Sequence, residues 1–261
     1  MLRKALLSSA AFAALTSVSL AADLPSKNPP TPYMAPPVFT WTGFYGGVNV
    51  GYAWQSDSVG ITNNNVGFFG PAFAAGATPS SYSTNSQGVL GGVQAGYNWQ
   101  FSNMFVAGLE ADISGSAIKG SQSINTTVPG FVPGFGNASQ NLDWLGTARV
   151  RLGFLPMQSL LVYATGGLAF GHESDSYSFA FPATGELYQG STSASVGWAV
   201  GAGVEYMLTQ AWSVKAEYLH YDLGSKNLQA MATGPAPAGS THFAHFDNNG
   251  DLVRVGVNFH F

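Results

Sequence analysis

Apolar and polar residues alternate one by one in a series of segments along the 261-residue chain. The last ten residues, 252–261, show the pattern most plainly: L-V-R-V-G-V-N-F-H-F. Successive side chains of a strand point to opposite faces. Val253, Val255, Val257, Phe259 and Phe261 therefore share one face, and Arg254, Asn258 and His260 share the other, with Gly256 between them. A ribbon with one apolar side, one polar side and an aromatic terminus fits the closing strand of a membrane barrel. A soluble antiparallel strand is the plainer alternative, and the rest of the chain decides between them.

Six further segments alternate in the same way, and a seventh does not separate its faces. In residues 42–55, Phe44, Val48, Val50, Tyr52 and Trp54 face one way and Tyr45, Asn49 and Gln55 the other. Residues 87–101 place Val89, Val93, Tyr97 and Trp99 opposite Gln94, Asn98 and Gln100. Residues 105–114 set Phe105, Ala107, Leu109 and Ile113 against Glu110 and Asp112. Residues 141–155 set Leu142, Trp144, Val150, Leu152 and Phe154 against Arg149 and Arg151. Residues 192–206 and 212–221 put Val196, Trp198, Val200, Val204, Tyr206, Val214, Ala216 and Tyr218 on the apolar side. Glu205, Lys215 and Glu217 take the polar side of those two. Residues 160–170 are apolar on both faces, and their facing stays open.

The connections add a second pattern. Those near 102–103, 156–159 and 207–211 are short. Those at 56–86, 115–140, 171–191 and 222–250 are long and rich in Gly, Ser, Asn, Thr and Pro, as loops are. Short turns at one end and long loops at the other are the layout of outer-membrane barrels. The expected fold is all-β: an eight-stranded antiparallel transmembrane β-barrel with short periplasmic turns and long extracellular loops.

Composition narrows this further. Only 8% of residues are charged, against 13% aromatic; an ordinary soluble domain carries about 25% charged residues. No apolar run beyond the N-terminus approaches the roughly 20 residues of a spanning helix, and a closed barrel is the other way to satisfy backbone groups in lipid. Cysteine is absent, and a barrel closes through its ladder without disulfides. Arg3 and Lys4, the apolar run 5–20 and the small residues Ser19 and Ala21 read as a signal peptide, residues 1–21. A Pro-rich periplasmic lead-in follows at 22–40, and the barrel takes up 41–261. Losing Arg3 and Lys4 moves the formal net charge from −4 to −6, which argues against nucleic acid as a partner.

The polar faces carry the charges. Glu110, Asp112, Asp143, Arg149, Arg151, Glu205, Lys215, Glu217 and Arg254 are expected to point inward. Arg or Lys on the lipid face would cost about 2–4 kcal/mol each at the midplane. Unpaired inside they would also be costly, so ion pairs are expected, with Glu110 to Arg149 or Arg254 and Lys215 to Glu217. Such a cluster is either a solid polar core or the lining of a narrow path. Outward aromatics, among them Trp54, Trp99, Trp144, Trp198 and Trp212, suit interfacial girdles; a carbohydrate-binding platform is the alternative.

Certain stretches carry a family resemblance. A-A-D-L-P at 21–25, A-P-P-V-F-T-W-T-G-F-Y-G-G-V-N-V-G-Y at 35–52 and G-G-V-Q-A-G-Y-N-W-Q at 91–100 are three of them. V-Y-A-T-G-G-L-A-F-G at 162–171, W-S-V-K-A-E-Y at 212–218 and R-V-G-V-N-F-H-F at 254–261 are the others. Together they resemble the small outer-membrane immunogenic proteins of alphaproteobacteria. The resemblance covers the strands and not the long loops. It implies a barrel related in fold to the membrane domain of outer membrane protein A, in the outer membrane of a Gram-negative bacterium. It also implies that Phe259 and Phe261 form a signal read by the barrel-assembly machinery. The implied partners are outer-membrane lipid and lipopolysaccharide, that machinery, and periplasmic chaperones during transit. Members of such families are described as structural, porin-like, antigenic or haem-binding.

Catalytic and metal-binding chemistry is thinly represented. His220 with Asp222, and His172 with Glu173, stand near strand ends, but no second motif supplies a nucleophile. His242, His245 and Asp247 form a loose H-x-x-H-x-D; the competing reading is a solvated loop bearing histidines. No phosphate loop or nucleotide fingerprint is present. The expectation is no enzyme, no cofactor and no metal. The expected function is structural and surface-exposed, with a polar core closed to bulk flow. The alternatives are a narrow porin-like channel for small solutes and a receptor or adhesin acting through the loops, with haem as one candidate ligand.

Overall fold

Alternating faces are what an antiparallel ladder requires, and nine strands build one. They are β1 (Gly43–Asn63), β2 (Ser81–Gln100), β3 (Phe105–Thr126), β4 (Gly134–Met157), β5 (Leu160–Phe181), β6 (Glu186–Thr192), β7 (Ser195–Met207), β8 (Trp212–Thr233) and β9 (Thr241–His260). The structure is a computed structural model and describes residues 39–64, 70–72, 74–78, 80–183, 185–192, 195–234 and 240–261. The expected signal peptide at 1–21 and the expected lead-in up to residue 38 lie outside the described residues.

Neighbours in sequence pair antiparallel from β1 to β5; β5 then pairs with β7, β7 with β8, β8 with β9, and β9 with β1. The sheet closes on itself, which removes its edges. β6 pairs with β5 and β8 at the loop end. It therefore continues the position of β7, where a single strand over 192–206 was expected. The ring has eight positions, one of them filled by two successive strands.

The strands are much longer than expected. Apart from β6 and β7 they run 20 to 24 residues, whereas a tilted strand crosses a bilayer in about 9–11. Much of the sequence expected as loop at 56–86, 115–140, 171–191 and 222–250 is strand. The reason lies on the inner face. Val59, Ile61, Tyr177, Phe179, Phe181, Leu228 and Phe246 still alternate inward and pack together above the membrane belt. The outer face is what has changed, becoming rich in Ser, Asn and Gln, because it has left the hydrocarbon. The short turns fall where expected, after β2, β4 and β7.

Four register shifts, between Gly115 and Ile118, Leu142 and Trp144, Asp222 and Ser225, and, at the turn end, Phe154 and Met157, interrupt the ladders. The second corrects two assignments. Leu142, expected outward, is buried, and Asp143, expected inward, has a side chain 58% exposed. An extra residue in one strand of a pair inverts the alternation beyond it. At the third shift Gly224 has φ +77°, and its N–H donates to Asp222 Oδ1 at 2.7 Å. The facing of β5 is now fixed: Leu161, Tyr163, Thr165 and Ala169 are inside, Val162 and Leu168 outside. Gly167 lies inside against the Ala148 carbonyl and the Arg149 Cα, with no room for a Cβ.

The interior is layered. At the turn end Trp41, Val106, Leu155, Leu161, Tyr163 and Met207 pack together. Trp41 is buried and its indole N–H donates to the Gln158 carbonyl at 2.9 Å, so Trp41, two residues before β1, folds into the mouth. Climbing β3, Val106 gives way to Glu110 and Asp112, then to Ile118, then to Ile124. Ile118 belongs to a second apolar layer with Leu90, Leu142, Leu145, Leu219 and Leu252, and Ile124 to the third. Outside, a belt including Phe44, Val50, Leu109, Leu168, Val196 and Val255 is exposed, Val196 by 74%. A water-facing surface would not hold so broad an apolar patch; hydrocarbon suits it.

Candidate functional site: the charged layer inside the barrel

Between the first and second apolar layers, four carboxylates meet four cations. The ladder brings them together by register: Glu110 stands opposite Arg149, Glu205 opposite Lys215, and Glu217 opposite Arg254. Their side chains are no more than 2% exposed, and the formal charge of the eight is zero.

Glu110 is the hub. Arg149 Nη2 reaches its Oε1 at 2.6 Å, and Lys215 Nζ donates to its two oxygens at 3.0 and 2.9 Å. Arg151 and Arg254 stand at 3.4 and 3.5 Å, and the Tyr45 hydroxyl donates at 2.8 Å. Asp112 accepts from Arg254 Nη1 at 2.9 Å, from Arg149 Nη2 at 3.0 Å and from the Thr147 hydroxyl. Glu217 accepts from Arg254 Nε at 2.6 Å, Arg149 Nη1 at 3.0 Å and the Tyr163 hydroxyl at 3.1 Å. Glu205 is held by Arg151 Nη2 at 2.7 Å, the Ser213 hydroxyl at 2.6 Å and Asn258 Nδ2 at 2.7 Å. The Arg151 guanidinium lies 3.9 Å over the Tyr163 ring, a cation–π contact.

Two pairings expected from sequence appear with different weights. Arg149 with Glu110 is among the short contacts, whereas Lys215 is 4.0 Å from Glu217 and binds Glu110 instead. Strand neighbours two residues apart share a face, but a side chain as long as lysine reaches across the lumen. Sequence reading left out Tyr163, Thr147 and Ser213. Tyr163 sits in the strand whose facing was open, and small hydroxyls carry no periodic signal.

The histidine pairs do not form a site. His172 and Glu173 are adjacent and so point to opposite faces: His172 lies outside, 3.8 Å from Asp143, and Glu173 is buried inside. His220 Nδ1 is 3.0 Å from Asp251 Oδ1 on the outer face, not beside Asp222. His242 is buried and stacks on Tyr188 at 3.8 Å, whereas His245 faces outward 3.4 Å from Asp247. An odd spacing splits two histidines of one strand between its faces. Among the described residues no three His, Asp or Glu side chains are grouped to hold a metal ion. At the C-terminus Phe259 packs edge-on against Trp212 at 5.1 Å and against Phe261 at 5.2 Å. Phe261 is 83% exposed, and its N–H donates to the Phe44 carbonyl at 3.0 Å.

The family model of the outer membrane protein beta-barrel domain matches residues 9–261. The 31 kDa outer-membrane immunogenic protein of Brucella melitensis is 35% identical over 97% of this chain and 98% of that one. The 25 kDa outer-membrane immunogenic protein of Brucella abortus is 27% identical over 100% of this chain and 99% of its own length. Among solved structures, the outer membrane protein OprG of Pseudomonas aeruginosa aligns with 16% identity and a TM-score of 0.44, covering 85% of this chain and 98% of that one.

Proposed function

Since the chain belongs to the outer membrane protein beta-barrel domain family, we propose that it serves the outer membrane of a Gram-negative bacterium as a closed structural barrel whose loop end is displayed outside the cell. It sits there among lipid and lipopolysaccharide. The observation that carries the proposal is the sealed charged layer: eight ionisable groups, each in contact with one of opposite sign, between two apolar layers. A conducting path needs water or mobile charge along its length. Here the carboxylates are spent on guanidinium and ammonium partners, and Leu90, Ile118, Leu142 and Leu145 lie across the way out.

The role at the surface is that of an antigen, in keeping with the names of the Brucella relatives. The reading includes no catalytic step. During transit the chain would be carried by periplasmic chaperones, and the Phe259–Phe261 terminus would be the signal read by the assembly machinery.

Planar-bilayer recording of the refolded protein tests closure. The expected result is no steady current for wild type, Arg149→Ala or Glu110→Ala, since the apolar layers remain in all three. A steady wild-type current whose ion selectivity changes in those variants would replace this reading with that of a narrow channel.

A further inference from the structure

Above the aromatic girdle the outer face of the strands changes character. Below, it is apolar. Above, β2 presents Ser83, Asn85 and Gln87, and β5 presents Ser174, Ser176 and Ser178. The outward positions of β2 over 81–87, β4 over 135–141, β5 over 174–180 and β6 over 187–191 carry no charged residue. An ordinary water-facing surface would carry about one charge in four.

This zone is tall. From Trp144 in the girdle to Gly134 at the top of β4 is ten residues. At about 3.3 Å per residue and a tilt near 40° that rises roughly 25 Å. Its outer face is continuous with the lipid-facing belt below, so what stands beside it is the headgroup of whatever lipid covers that belt. In the outer leaflet of an outer membrane that headgroup is a saccharide.

A groove is cut into this face between β4, β5 and β6. It has a volume of about 410 Å³ and is lined by Asn137, Ser176, Ser178, Gln189 and Ser191. Phe135 lies two positions beyond Asn137 on the same face and is 50% exposed. Amides and hydroxyls both donate and accept, as sugar hydroxyls require, and an exposed ring offers the C–H face of a sugar a flat apolar partner. A carboxylate here would repel the phosphates of the same glycolipid; none stands at the outward positions 135–141, 174–180 or 187–191, and Asp143, the outward carboxylate of β4, lies lower, beside Trp144 in the girdle.

We propose that the groove between β4, β5 and β6 holds a sugar of the core oligosaccharide of lipopolysaccharide packed around the barrel. The lipid tails then lie on the apolar belt and the saccharide on the neutral face above it, so one glycolipid is held along two continuous surfaces.

The test uses the full-length refolded protein in detergent, titrated separately with core-bearing lipopolysaccharide, with lipid A and with free core oligosaccharide. Binding is followed by the rise in thermal unfolding midpoint. Two or more hydrogen bonds of ordinary net strength predict about tenfold tighter binding of core-bearing lipopolysaccharide than of lipid A. The double variant Asn137→Ala, Gln189→Ala should lose most of that preference and keep its affinity for lipid A. Both side chains face outward, and heat-modifiable gel mobility checks that the barrel is folded; Phe135→Ala stands in if it is not. Equal affinity for core-bearing lipopolysaccharide and lipid A overturns the proposal. So does a preference that survives in the variants. Free oligosaccharide binding as tightly as whole lipopolysaccharide would assign the groove to a soluble sugar and overturn the membrane source.

Discussion

Arg149 touches three carboxylates: Glu110 at 2.6 Å, Asp112 at 3.0 Å and Glu217 at 3.0 Å. Removing one partner from a buried ion network leaves uncompensated charge in a poorly solvating interior. Arg149→Ala should therefore destabilise the barrel by about 3–5 kcal/mol in equilibrium urea unfolding. Lys119→Ala, at an exposed outward position, should stay within about 0.5 kcal/mol. Equal effects would mean a water-filled lumen. A second pair lies above the membrane belt. Burial pushes the Asp175 carboxyl up to about 6, partly offset by Lys226 and by a hydrogen bond from Asn248. Burial pushes the His242 imidazole down to about 4. Between their ordinary and folded values the two have opposite signs: acidification favours the folded form through Asp175 and disfavours it through His242. Between pH 7 and pH 5, Asp175→Asn should therefore weaken hydrogen-exchange protection of the Phe246 amide on acidification. His242→Gln should strengthen it. The same slope in both variants would remove the argument.

At the scale of the element, alternation on the inner face outlasts the apolar character of the outer face. Y-S-F-A-F at 177–181 falls inside the expected loop 171–191, yet Tyr177, Phe179 and Phe181 are all buried inside β5. Insertions distinguish the two readings. An epitope placed just after Asn64 or Gly234, at the ends of β1 and β8, should be tolerated and accessible on intact cells. The same epitope after Ser123 or Ser176 interrupts the ladders of β3 or β5 and should abolish heat-modifiable mobility. Tolerance at all four sites would return those segments to loop.

For the whole molecule, closure through β1 and β9 makes the C-terminus a structural seam. Phe261 adds to that seam one backbone hydrogen bond and one largely exposed ring. Deleting it should cost no more than about 1.5–3 kcal/mol, the value of a fully buried aromatic, and refolding in detergent should survive. If Phe261 also serves as the assembly signal, yield in the outer membrane should fall several times further than yield in vitro. Equal losses in cells and in detergent would reduce it to a packing residue.

Periodicity by itself determined the all-β antiparallel class, the three short turns and the expectation that Glu110, Asp112, Arg149, Arg151, Glu205, Lys215, Glu217 and Arg254 face inward. Each follows from a period of two, which a sequence carries directly. Only the tertiary structure decided where that period slips: the bulge that turns Leu142 inward and Asp143 outward is a register event between two chain segments. Only it decided partners across the lumen, where Lys215 chooses Glu110 over the nearer-in-sequence Glu217, because distance across a closed ring is set by the ring. The upper halves of the strands belong to both. Their inner alternation is written in the chain, but the strength of a strand signal depends on what lies outside it. Above the membrane belt that surrounding is no longer hydrocarbon.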